Sequence, residues 1–191
     1  PFIEGDYLRD LWFSAEGPEP PLKSLDTCGN ILYHACLMAG NSPSGHVSFM
    51  AGPEYLIEQL VITHQKLTYS NSYLNQLILA ELLESGNYLK WLDSFRVKLR
   101  ERMSLTISMA EKYLGERAVC HESYGGTQLR LTFAPSLDVR AFTLDSSLCR
   151  WRHGVRPDGG DANSLLLQPV SVSLDRVEQF IKSLAAQACG R

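Results

Sequence analysis

The chain lacks any apolar run that could cross a membrane as a helix. Its longest runs, such as LILAELL at 77–83, fall far below the roughly 18 residues such a span requires. It also lacks a basic excess. A net charge of −3 and a pI near 6.0 argue against this segment being a nucleic-acid-binding element, which needs a positive stripe for phosphate. The one basic cluster, Arg96, Lys98, Arg100 and Arg102, falls on an expected helix with Glu101 among them and reads as a solvated face. Five cysteines, at 28, 36, 120, 149 and 189, make an odd and irregularly spaced set. That fits reduced thiols in a cytoplasm better than a disulfide framework. No starting Met and no signal peptide precede Pro1, and a chain that opens directly on strand-like PFI is expected to be a piece of a longer protein. The most local absence is chemical. LYHACLMAGNSPSGHVSFMAG (32–52) reads as strand, loop and strand, the arrangement that often presents catalytic groups, yet it holds no lysine, arginine, aspartate or glutamate.

What is present describes an ordinary globular chain. With 191 residues, 45% apolar and 20% charged, it can bury a core and form one or two domains. Strand-like PFI, a polar and proline-rich connection FSAEGPEPPLKSLD, strand-like NILYHAC (30–36) and HVSFMA (46–51), and helices from about Glu54 and around Leu74–Glu84 indicate an α/β layer. After Gly86 the rhythm changes. Tyr88, Leu92, Phe95, Leu99, Met103, Ile107, Ala110 and Leu114 recur at steps of three and four, which predicts one amphipathic helix roughly 40 Å long.

Gly125-Gly126 should turn the chain into the alternating strand TQLRLTFA (127–134). A helix is expected from an N-cap at Asp138 to Gly154, burying Val139, Phe142, Leu148 and Trp151. LLLQPV (165–170) reads as an edge strand or a strand end because of Pro169. LDRVEQFIKSLAAQA closes the chain as a helix with Leu174, Val177, Phe180, Ile181 and Leu184 on one face. The expected division is 1–86 and 87–191.

The order PFIEGDYLRDLWF, strand-loop-strand 30–51, AGPEYLIEQLVITHQ, then YSNSYLNQLILAELLESGNYLKWLDSFRVKLRER and a GG-strand-helix-strand-helix end resembles fold-type I aminotransferases. It is most similar to the aminotransferase-like domain of MocR-type regulators, a branch of the GntR transcription factors. The resemblance covers nearly the whole chain but only the back half of that domain. It implies an α/β fold: the remainder of the large domain, a long helix, and a small C-terminal α/β domain.

The same resemblance places the family's functional positions. Where the family reads I-E-D-D-Y, this chain reads Ile3-Glu4-Gly5-Asp6-Tyr7, so the aspartate that holds the pyridine nitrogen of pyridoxal phosphate is replaced by Gly5, while Tyr7 is kept. Anchored on Pro43, the Schiff-base lysine falls at Ala39 and the phosphate-binding arginine at His46, with Cys36 and Met38 near the hydroxyl positions. The arginine for the substrate carboxylate falls on Leu166. No lysine occurs between Lys23 and Lys66, so no internal aldimine is expected. Losing the aspartate and the phosphate arginine removes two charge-assisted contacts of roughly 1.5–3 kcal/mol each, about 10² to 10⁴ in affinity.

The implied cofactor is therefore none, with weakly bound pyridoxal phosphate the alternative. Three functions stay open: a degenerate effector-sensing or dimerisation domain of a regulator, an aminotransferase fragment whose lysine lies elsewhere, and a scaffold without ligand. The implied partners are a second copy, a small-molecule effector, and DNA only through an N-terminal domain outside this segment; none is a membrane. Tyr7, His34 or Cys36, and His46 would rim the emptied pocket. His34 and Cys36 also share a strand face and could in geometry be two metal ligands, but a buried cysteine beside a hydrogen-bonded histidine needs no metal. Gly125-Gly126 is not a phosphate loop, since no strand, G-x-G-x-x-G and helix follow in order.

Overall fold

A computed structural model describes residues 1–37, 47–67, 72–145, 147–150, 154–155 and 161–189. The chain divides into two compact units, Pro1–Arg96 and Val97–Arg191.

In the first unit, β1 (Phe2–Asp6) and β2 (Ile31–Leu37) pair in parallel, and β3 (Val47–Ala51) adds antiparallel to β2. Parallel neighbours need a long crossover, here residues 7–30 with short 3-10 turns at Arg9–Leu11 and Leu22–Leu25. Two carboxylates fasten it. Glu4 accepts from the amides of Leu22 and Lys23 at 2.7 and 2.8 Å, and Asp26 accepts from the amides of Asn30 and Ile31 at 3.0 and 2.9 Å. Those amides and the Lys23 ammonium, 2.9 Å away, hold the Asp26 carboxyl well below the usual carboxylate range.

Two helices follow, α1 (Glu54–Leu67) and α2 (Tyr73–Glu84). Ser72 caps α2 by accepting from the Asn75 amide at 3.3 Å. Gly86, at φ +70°, supplies the left-handed turn that ends it and lets α3 (Asn87–Leu114) begin. The first turns of α3 are tied down by Tyr88, whose hydroxyl donates to Asp10, and by Arg96, whose Nε donates to the Asp10 carbonyl at 2.8 Å. Leu11, Phe13, Leu32, Ala35, Leu79 and Leu92 are buried in this unit.

From Leu99 to Leu114, α3 buries Leu99, Met103, Ala110 and Leu114 as its periodicity predicts, with Thr106 buried in addition and Ile107 only half-buried. The second unit's four-stranded antiparallel sheet has the order β4 (Ala118–Cys120), β5 (Leu129–Phe133), β9 (Ser164–Leu167) and β6 (Cys149–Arg150). A separate ribbon joins β7 (Gly154–Val155) to β8 (Asp161–Ala162). The chain ends in α4 (Leu174–Cys189), which buries Val177, Phe180, Ile181, Leu184 and Ala188. Register explains the two-sidedness of the sheet: Leu129 pairs with Leu167 and Leu131 with Leu165, all buried, while Arg130 pairs with Leu166 on the other face.

Two expectations need correction. The helix from Asp138 to Gly154 does not form; the described residues there give a 3-10 turn at Val139–Ala141 and then β6. Side chains outcompete the helix for the backbone. Asn163 Oδ1 accepts from the Val139 amide at 3.1 Å, and its Nδ2 donates to the carbonyls of Ala134 and Leu137. The Asp145 carboxylate accepts from the Ser147 amide and hydroxyl. Val139, Phe142 and Leu148 are buried as expected, but through turns rather than one helical face; Trp151 lies outside the described residues. Of the two readings of Pro169, the strand end holds: β9 is flanked by β5 and β6, and Pro169 sits just beyond its end and starts a 3-10 turn at Pro169–Ser171. The basic cluster is only partly a solvated face, because Arg96 is tied to Asp10 and Arg102 donates to the Pro169 carbonyl at 2.7 Å.

Candidate functional site

The site grows from the register of the first sheet. Gly5 lies opposite His34, and His34 opposite Met50. With a strand period of two, Leu32, His34 and Cys36 share one face and Tyr33, Ala35 and Leu37 the other. Tyr7 follows directly on β1 and folds back over this face, its hydroxyl 2.9 Å from His34 Nδ1. The two rings meet edge to face at 4.9 Å. Gly5 leaves room for that ring: a Cβ there would stand 3.0 Å from Tyr7 Cε2.

The other sequence-derived positions separate. Asp6 pairs with Ala35 on the opposite face, where Arg9 contacts it at 3.0 Å and the Tyr33 hydroxyl donates to it at 3.1 Å. Burial and this bond to the carboxylate raise the Tyr33 phenol. Cys36 is buried and donates to the Leu37 carbonyl at 3.5 Å. Ala39 and His46, with Met38, lie outside the described residues. Leu166 belongs to the second unit, paired with Arg130 and Arg150 across β9. Among the described residues no three His, Cys, Asp or Glu side chains gather as metal ligands. Burial pushes the thiols of Cys120 and Cys149 up to about 11, which makes them inert rather than nucleophilic.

Sequence reasoning missed a cavity of about 470 Å³ on the β3 side of His34. Residues 47–50 of β3 form one wall, His64 of α1 another, and Ser72, Asn75 and Gln76 at the start of α2 close it. One signal for it was available. The stretches 27–53 and 67–80 that supply all of this lining except His64 carry no Asp, Glu, Lys or Arg in a chain that is 20% charged.

Known structures place the fold. The chain superimposes on an archaeal alanine:glyoxylate aminotransferase over 99% of its own length and 48% of that chain, with TM-score 0.84 and 16% identity. A Pyrococcus horikoshii kynurenine aminotransferase gives TM-score 0.81 over 98% of this chain and 47% of its own, at 18% identity. The fold is that of about half of a fold-type I aminotransferase.

Sequence relatives are of another kind. The HTH-type transcriptional regulator YisV of Bacillus subtilis is 36% identical over 98% of this chain and 39% of its own length. The regulator YdfD of the same organism is 33% identical over 73% and 29%, and the Staphylococcus aureus regulator NorG 26% identical over 73% and 31%. No protein-family model matches the chain. The chain thus spans about two fifths or less of the curated relatives it matches. The resemblance read from the sequence, to the aminotransferase-like domain of such regulators, holds on both counts.

Proposed function

We propose that this chain is a degenerate aminotransferase-like module of an HTH-type transcriptional regulator. It retains the aminotransferase fold without the cofactor chemistry, self-associates, and senses a small-molecule effector in the cytoplasm, while DNA is met by a domain outside this segment. Similarity to regulators supports the setting and similarity to aminotransferases the fold. Among the described residues no helix is long and apolar enough to cross a membrane.

The relation between Gly5 and Tyr7 carries the loss of chemistry. The position that would face a pyridinium nitrogen offers no carboxylate, and the tyrosine that would face the cofactor is hydrogen-bonded to His34 instead. With no lysine between Lys23 and Lys66, these residues do not fit pyridoxal phosphate. Self-association is supported by α1, which buries no residue, and by Tyr55, Val61, Ile62, Leu74, Leu77 and Ile78, all exposed on α1 and α2.

The test is to mix the purified protein with excess pyridoxal phosphate, dialyse, and record the visible spectrum. No Schiff-base absorbance should remain. A band that survives dialysis would overturn this reading in favour of an aminotransferase fragment.

A further inference from the structure

We propose that the cavity beside His34 binds a small, uncharged molecule that carries both a hydrogen-bond donor and an acceptor, as an amide or lactam does, together with an apolar flank. This rests on the effector-sensing reading above and gives it a place and a chemistry. At about 470 Å³ the cavity lies within the range of small-molecule sites. Gly5 and Tyr7 are not part of its wall, so it is not the space a pyridine ring would take over β1.

The wall decides the charge class. Among the described residues it contains no Asp, Glu, Lys or Arg, its only side chains that can carry charge near neutral pH being the imidazoles of His34 and His64, and the two stretches from which nearly all of it comes, 27–53 and 67–80, carry none of those four residue types. An anion such as a phosphate or dicarboxylate would leave water without a lysine or arginine to meet it, which is costly. A neutral molecule loses far less. It would meet a wall that is polar without charge: the Gln76 amide offers a donor and an acceptor, and Ser72 Oγ accepts from the Asn75 amide at 3.3 Å, leaving its own proton to donate. His34 is oriented from behind. With Nδ1 engaged at 2.9 Å by the Tyr7 hydroxyl, Nε2 is the ring nitrogen left for a ligand. Met50, opposite His34 in the register, supplies the apolar side.

The experiment uses the whole chain labelled at its histidine rings, which gives five reporters, and a fragment library sorted into neutral, anionic and cationic sets of equal size at about 1 mM, a concentration that detects weak binding. Neutral amides and lactams should shift the His34 and His64 signals and leave His121, held by Thr132 at 2.9 Å in the second unit, unmoved. Ser48→Trp and Gln76→Trp, both at exposed positions, should each abolish those shifts while thermal melting confirms an intact fold. The proposal is overturned if anionic fragments are the binding class, if no neutral fragment shifts either histidine, or if the shifts survive both tryptophans. The dialysis spectrum separates the two readings: a stable Schiff base beside neutral binding would overturn the degenerate-regulator reading and leave this site standing, whereas no Schiff base and no neutral binding would do the reverse.

Discussion

Tyr7 and His34, 27 residues apart in sequence, are joined by a 2.9 Å hydrogen bond across two parallel strands. In the reading proposed above, the bond occupies the hydroxyl that would otherwise face a cofactor. Tyr7→Phe should cost about 0.5–1 kcal/mol in denaturant unfolding, as expected for a neutral, partly exposed hydrogen bond, and should shift the ring signals of His34. An unchanged His34 spectrum would show that the contact is not made in solution.

Restoring the lysine alone should not restore chemistry. In the reading proposed above, the Ala39→Lys variant still lacks the aspartate expected at Gly5 and the phosphate-binding arginine expected at His46, so incubation with pyridoxal phosphate should leave no Schiff-base absorbance after dialysis and no transamination. A dialysis-stable band in this single variant would show that the remaining residues can hold the cofactor after all.

The crossover between β1 and β2 should be acid-sensitive through Asp26. Its carboxyl is held well below the ordinary value by the Asn30 amide, the Lys23 side chain and the Ile31 amide. A depressed carboxyl stabilises the fold above its unfolded pKa, near 4, and that contribution is lost as the pH falls through the lower folded value. Asp26→Asn should therefore melt below wild type at pH 7, with the gap closing progressively below pH about 4. A gap that persists unchanged in acid would assign the effect to lost packing instead.

In the second unit, Asn163 joins three backbone groups with one side chain. Asn163→Leu strands the Val139 amide and the Leu137 carbonyl and leaves the Ala134 carbonyl with only the Leu137 amide, and should destabilise by about 1–3 kcal/mol. Circular dichroism and thermal melting would read it; a loss under about 0.5 kcal/mol would mean that water replaces the amide.

Light scattering over a dilution series should show self-association through residues 1–86. A strictly monomeric mass at about 100 μM, well above the Kd of most specific interfaces, would count against the exposed faces of α1 and α2 as a contact surface.

Periodicity made the long elements legible. The stripe from Leu92 to Leu114, the face of α4 and the alternation of LRLTF each repeat often enough to fix an element type. It failed between Asp138 and Gly154, where the buried positions Val139, Phe142 and Leu148 are a helical coincidence and the deciding partner, Asn163, is distant in sequence. β4 and β6, with three and two residues, are too short to show a period. The pairing of Gly5 with Tyr7 was visible by resemblance, but His34 as Tyr7's partner was not, since a parallel crossover sets that register. The cavity draws on four elements, and only its missing charge was written locally.

A wall without charge is also indifferent to salt. Contacts to DNA phosphates weaken steeply as ionic strength rises, because bound counterions are released on association, whereas a neutral guest in a neutral cavity has no ion atmosphere to rearrange. In a regulator built this way, the grip on DNA and the occupancy of the cavity would answer to different properties of the cell: the first to its ionic strength, the second to the concentration of one molecule.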